Sequence, residues 1–286
     1  MKTYVASGAG VLTLVACLAV PHPVDTKAQT DPAAITELTW IDPSAEDIAD
    51  ILTHEPVNCL KTANNADEAD RLRTGELAFA SPALLGGQAE KKRLSCASCH
   101  RNGRDNPHFL FPAISGVAGT ADVTSGLFGV ERADRTFNPL PIPDLADPAT
   151  HIKADRTDTE ALQEFIRLQI IEEFSGDEPS PSILKAVTAY VEAVSNTACT
   201  DPSARQKITW QSDFEAARDA ALRASAESST SGETFWRQTA RASLRRLYER
   251  YAAPQHGRLR KELIDRSRQI ADGADWPEGN DPLEAR

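Results

Sequence analysis

At 286 residues the chain is long enough to bury one fair-sized core with an extension, or two small cores, and with 6% aromatics, 15 Gly and 18 Pro it has a globular composition and a mainly aliphatic interior. No repeat of solenoid or propeller type is visible. The formal charge of -11 is concentrated in the front part: residues 29–200 hold 14 Lys and Arg against 27 Asp and Glu, while residues 201–286 hold 15 against 14, which argues against nucleic acid or an anionic lipid surface as partner and favours basic proteins.

Residues 1–28 read as an export signal. Lys2 precedes an uncharged stretch from Thr3 to Val20, too weakly apolar to span a membrane comfortably, and a short polar region ends Thr26-Lys27-Ala28. Cleavage after Ala28 places residues 29–286 in the periplasm or outside the cell with a charge of -12. A second reading takes Leu14-Val15-Ala16-Cys17 as a lipoprotein signal, with a lipid anchor on Cys17.

Helical signals dominate the mature region. The spacing of Leu72, Leu77 and Phe79 predicts a helix over 67–80, ahead of Cys96-Ala97-Ser98-Cys99-His100. Residues 101–150 are rich in Gly, Pro, Asn and Asp, and Asn138-Pro139-Leu140-Pro141-Ile142-Pro143 forbids regular helix, so this is a long ordered loop of the kind that wraps a cofactor. Thr157 and Glu160 form a capping box for a helix carrying Leu162, Phe165, Ile166, Ile170 and Phe174, stopped by Gly176. Ser180 caps the next helix, with Pro181 at its first position and a stripe of Leu184, Val187, Tyr190, Val191 and Val194 facing a core.

Beyond Cys199 the composition shifts to Ala, Arg, Ser and Glu, and amphipathic helices are expected near 212–227, 233–252 and 257–272. Thr230 and Glu233 make a second capping box, Pro254 ends the middle helix and Gly273 the last, while Trp236, Leu244, Leu247 and Tyr251 give the middle helix an apolar face. The expectation is an all-α protein: a first domain over 29–200 and an amphipathic helical extension over 201–286, whose faces pack on the first domain or mediate self-association.

The cysteines carry the chemistry. Cys96 and Cys99 stand three residues apart with His100 adjacent, a spacing that lets two thiols reach the two vinyl groups of one haem while the histidine is delivered to the iron. A thioredoxin-like site would need a βαβ context that does not precede the motif. Zinc held by Cys96, Cys99, His100 and His108 would lack a second ligand pair at finger-like spacing. Covalent haem c is therefore the expected cofactor. Cys59 and Cys199 form an even pair in an oxidising compartment, and a disulfide between them is expected, with two buried free thiols as the alternative.

The run Gly75-Glu76-Leu77-Ala78-Phe79, the turn with Pro82, Leu84 and Gly86, and Leu94-Ser95-Cys96-Ala97-Ser98-Cys99-His100 resemble the start of a c-type cytochrome domain, in particular one half of the bacterial di-haem cytochrome c peroxidases. The resemblance covers about residues 67–197. It implies a cytochrome c-like haem domain with a long wrapping loop, a helix crossing of Gly75 or Phe79 with Tyr190, and Pro112 as the proline whose carbonyl accepts the second N–H of His100. The chain departs from that family in having one attachment motif where two are needed, which excludes relay between two haems, and in lacking the family's tryptophan-containing segment beyond the motif.

The sixth iron ligand is open to two readings. The single methionine is Met1, so the mature chain has no thioether to offer. Among His54, His108, His151 and His256, His151 is the first choice and His108 the second, both lying on the wrapping loop. Three functions compete: a periplasmic electron carrier, a peroxidase-like haem enzyme with an open iron position, and a haem-bearing sensor or assembly subunit that works through its helical tail. The basic cluster Lys91, Lys92, Arg93, Arg101 and Arg104 is expected to be solvated surface that meets haem propionates or an acidic partner in part.

Overall fold

The computed structural model describes residues 40–147, 149–150, 154–251 and 254–277. Residues 1–28, expected to form an export signal, with Cys17 among them, and His151 lie outside the described residues. The described residues are mostly helical, with four very short strands among them paired in two antiparallel ribbons.

The front part is organised by two crossing helices. Helix α2 (Ala66–Phe79) follows α1 (Ile48–Thr53) and β1 (His54–Pro56), and it begins at Asn65, whose side chain accepts the Glu68 backbone N–H. Helix α7 (Pro181–Ala193) begins as expected, with Ser180 accepting the Ile183 N–H and Pro181 in its first turn. The two pack through Gly75, where a Cβ would lie 2.1 Å from the Ala186 carbonyl oxygen and 2.7 Å from Tyr190 Cβ. Only a residue without a side chain lets these backbones come so close. Phe79 and Tyr190 pack beside the crossing with ring centroids 5.1 Å apart and planes tilted by 51°.

The ends of this pair are tied together. Cys59 and Cys199 form a disulfide with a Cα separation of 5.2 Å. Beside it, Ser195 donates its N–H to the Cys59 carbonyl (2.8 Å) and Lys61 to that of Ala193 (2.9 Å).

Between the crossing helices run three short helices, α3 (Pro82–Leu85), α4 (Gly87–Lys91) and α5 (Cys96–Cys99), then the long loop with β2 (Thr120–Ala121) and β3 (Leu140–Pro141). Helix α6 (Thr159–Leu168) continues into a wider π turn over Gln169–Glu173. Its cap is Asp158, which accepts from the Glu160 and Ala161 N–H groups; Thr157 instead donates its hydroxyl to Asp155. A carboxylate at the N-terminus gains more from the unsatisfied N–H groups and the helix dipole than the neighbouring hydroxyl does.

After β4 (Arg205–Lys207), which pairs with β1, come α8 (Trp210–Ala226), α9 (Thr230–Arg250) and α10 (Gly257–Ala271). Buried Ala216, Ala217, Ala220, Ala221 and Ala224 on α8 allow a close approach to α9, whose Trp236, Ala240, Leu244 and Leu247 fill the seam. The α9 cap is Ser229, one residue earlier than the Thr230 box, and the helix ends at Arg250, before Pro254. Gly273, at φ +92°, closes α10 as expected.

These helices join the front part through charged and polar staples: Arg73 with Asp219 (2.9 Å), Arg223 with Asp70 (2.6 Å), and Ser81 Oγ with Thr239 Oγ1 (2.7 Å). One continuous apolar cluster runs from Leu77 and Phe79 through Val187 and Tyr190 to Trp236 and Ile270. No helix among the described residues is long and apolar enough to cross a membrane.

Candidate functional site

The site starts from a single helical turn. Ser95 opens α5, where its backbone N–H donates to Ser98 Oγ (3.0 Å) in a reciprocal capping box. That cap fixes four residues that are too few to be stable by helix propensity alone. Cys96 and Cys99 leave this turn as free thiols, not bridged to each other, with Cys96, Ala97 and Cys99 packed on the edge of the core.

Past His100 the backbone reverses. Asn102 takes the left-handed conformation (φ 50°), and Gly103 (φ +73°) passes so close to α7's end that a Cβ would lie 2.6 Å from Val194 Cγ1. The polar side chains of this stretch then anchor it to neighbouring backbone. Arg101 donates to the Ile51 and His54 carbonyls (3.1 and 3.0 Å), Asn102 Nδ2 to the Pro56 carbonyl (2.8 Å), and Asn106 Nδ2 back to the Ser98 carbonyl (2.8 Å).

His100 is oriented from across the loop. Its Nδ1 lies 3.0 Å from the carbonyl oxygen of Pro143. A carbonyl only accepts, so the ring carries its hydrogen on Nδ1, and the Nε2 lone pair points the other way. Asp144, next in the chain, holds that carbonyl in place: its carboxylate takes two charge-assisted bonds from Arg104 Nε (2.9 and 3.0 Å) and accepts the Ala146 N–H, while Arg104 Nη1 reaches the Pro202 carbonyl (2.7 Å). The Phe79 ring lies 6.5 Å from the imidazole, so the helix crossing forms one wall of the site.

Pro112 does not play the part expected of it. It is exposed on a tight turn in which the Phe111 carbonyl accepts the Ile114 and Ser115 N–H groups. The turn's hydrogen bonds and the left-handed Ala113 (φ 81°) direct that stretch to solvent, and Pro143 supplies the carbonyl instead.

The two cysteines and the histidine are half-buried, yet enough protein surrounds them to shift their ionisation. Burial pushes both thiols up to about 12 and pulls the imidazole down to about 4, against the opposing pull of the Pro143 carbonyl and Asp144. Both thiols and the imidazole are therefore held in their neutral forms at pH 7. His108 sits apart, its carbonyl bonded to the Asp42 N–H (3.0 Å) and its ring held below the usual histidine range by burial and by Arg101 and Arg205, with Asp105 and Asp42 opposing. Among the described residues no recorded contact joins it to His100.

The basic cluster divides in two. Lys91 and Lys92 are exposed, but Arg93 is buried against Glu249, and Arg101 and Arg104 spend their guanidinium groups on the backbone and on Asp144. Three of the five expected surface cations are thus internal staples.

The residues fit a covalently attached haem. Two reduced thiols stand on one turn at the right spacing, and the adjacent histidine already has the tautomer and orientation an axial ligand needs. Among the described residues no three His, Cys, Asp or Glu side chains converge into a group that could chelate a metal ion. No family model matches the chain, and comparisons with curated proteins and with solved structures gave no match.

Proposed function

We propose that this protein is an exported mono-haem c-type cytochrome that carries electrons, with haem c attached through Cys96 and Cys99 and His100 as axial ligand. The observation that carries the reading is the His100 Nδ1 contact with the Pro143 carbonyl at 3.0 Å, beside two unbridged thiols. When bound, the haem supplies a one-electron change at its iron.

The chain's own residues do the rest. Pro143 and Asp144, gripped by Arg104, stop the His100 ring from rotating and raise its basicity toward a metal. Phe79, Tyr190 and the α2–α7 crossing provide an apolar wall of low dielectric. With no methionine in the mature chain, His151 is the proposed sixth ligand and His108 the second choice. Export through residues 1–28, or lipid anchoring at Cys17, would bring the chain to the compartment where such attachment occurs, and its acidic front half suits a basic redox partner.

The test is mass spectrometry of protein made alongside a haem-attachment system. One added haem that survives acid and acetone extraction, and disappears in Cys96→Ser/Cys99→Ser, is expected; a haem lost on extraction refutes the proposal. A low-spin ferric spectrum that turns high-spin in His151→Ala supports the carrier. A wild-type protein that is already high-spin and binds cyanide quickly favours a peroxidase-like enzyme.

A further inference from the structure

Five of the seven large apolar side chains left exposed among the described residues fall on the long loop before Pro143: Val117, Leu127, Val130, Phe137 and Leu140. Three of them share one place, the tip of the β2–β3 ribbon. Val117 (68% exposed) and Leu140 (67%) follow Gly116 and Pro139, which meet so closely that a Cβ on the glycine would lie 2.8 Å from the proline ring. Phe137 (61%) precedes Asn138, whose N–H reaches Asp122 Oδ2 (3.4 Å) at the end of β2. Exposed apolar residues are ordinary when scattered, whereas a cluster of them marks a contact surface.

The start of the described chain leads to this tip. The Trp40 carbonyl accepts the Leu110 N–H (3.2 Å), its ring packs on Phe111 with centroids 4.2 Å apart, and Ile41 bridges Phe109 in the antiparallel sense. The backbone leaving Trp40 toward residue 39 therefore points past Phe111 to Ile114, whose carbonyl accepts the Asp122 N–H (2.7 Å), and so to Asn138 and Leu140 beyond. Residues 29–39 can span about 36 Å when extended, and they carry Ala33, Ala34, Ile35 and Leu38. A second copy of the chain suits the tip less well. Pro139 and Pro141 have no N–H to offer a further strand, which argues against edge-to-edge pairing. The three side chains expose on the order of 400 Å², about half of what each partner of a stable dimer buries.

We propose that residues 29–39 lie across the tip of this ribbon, with Ile35 and Leu38 packed on Val117, Phe137 and Leu140. The contact needs neither haem nor removal of residues 1–28, so it stands apart from the function proposed above. Its place still bears on that function. From Leu140 the chain runs through Ile142, whose N–H donates to the Gly119 carbonyl (3.0 Å), to Pro143, whose carbonyl orients His100. A covered tip keeps the ribbon from fraying, and with it the imidazole from turning.

Hydrogen exchange of the purified full chain, read by mass spectrometry, tests this. Ile35→Asp/Leu38→Asp is expected to speed exchange about tenfold in peptides covering 113–123 and 136–142 while leaving α8 and α9 unchanged. Leu140→Asn should lower the thermal midpoint by about 3 °C in the wild-type chain and leave it unchanged in Ile35→Asp/Leu38→Asp, because a leucine already in water loses nothing. The proposal is overturned if exchange at the tip is the same with and without the two aspartates, or if Leu140→Asn acts equally in both backgrounds. Should Leu140→Asn not fold, Val117→Asn replaces it with the same two expectations. A dimer in sedimentation that Leu140→Asn dissociates and Ile35→Asp/Leu38→Asp does not would assign the tip to a second copy and likewise overturn the proposal.

Discussion

His100 owes its orientation to a residue 43 positions away, and that residue in turn to an ion pair. Arg104 and Asp144 are 14% and 19% exposed, so each charge is largely out of water and depends on the other. Arg104→Met should therefore cost about 3 kcal/mol, because it strands the Asp144 carboxylate. Asp144→Asn placed in the same chain should recover a good part of that loss. Urea unfolding of the two single variants and the double variant measures it, and a loss below about 1 kcal/mol for Arg104→Met would show that the pair does not anchor the loop. The residues proposed for attachment were legible because covalent haem chemistry needs Cys96, Cys99 and His100 at fixed spacing. Pro143 was not. A backbone carbonyl leaves no mark on composition, and its partner lies across a loop whose path depends on the pairing of β2 with β3 and on Arg104. The same holds for Arg93, Arg101 and Arg104, which read as surface charge because their partners are remote in sequence.

At the scale of elements, the α2–α7 crossing has one position that admits no side chain. Gly75→Ala would put a methyl group 2.1 Å from the Ala186 carbonyl oxygen, and since backbone must move to make room, the substitution should cost about 3 kcal/mol. Gly257→Ala is the control: a Cβ there meets nothing within 4 Å, and alanine favours helix, so stability should be unchanged or rise slightly. Chemical denaturation of both variants separates a packing effect from a loss of backbone freedom; equal losses would sink the packing argument. The helices themselves were readable from the 3.6-residue spacing of their apolar stripes, and the crossing from the family resemblance around Gly75 and Tyr190. Cap positions slipped by one residue in α6 and α9, where Thr157 stands beside Asp158 and Ser229 beside Thr230. Adjacent residues that are all competent caps leave the choice to the incoming loop. The short ribbon β1–β4 had no signal, because its strands of three residues carry no alternating pattern and pair across 151 positions.

For the molecule as a whole, the disulfide Cys59–Cys199 spans 140 positions, and the loop it closes contains the candidate site. Its two ends are also held by backbone hydrogen bonds from Ser195 to Cys59 and from Lys61 to Ala193 and by the Leu60–Val194 bridge. Reduction therefore leaves the native contacts at this junction in place. Most of what is lost lies in the unfolded chain, where the bond forbids the many conformations with the two ends apart. In the chain-entropy account a loop of this length is worth about 5 kcal/mol, and removal of native disulfides generally costs about 2 to 5 kcal/mol. The prediction is that Cys59→Ala/Cys199→Ala lowers the thermal midpoint by about 10 °C while the circular dichroism of the folded state is unchanged, since Cys59 is fully buried but small. The urea m-value should increase at the same time, because an unlinked unfolded chain exposes more surface. A midpoint shift of about 2 °C or less, or a loss of helical signal before unfolding, would mean that the bond acts instead on the folded state, as a local clamp on the ends of α2 and α7.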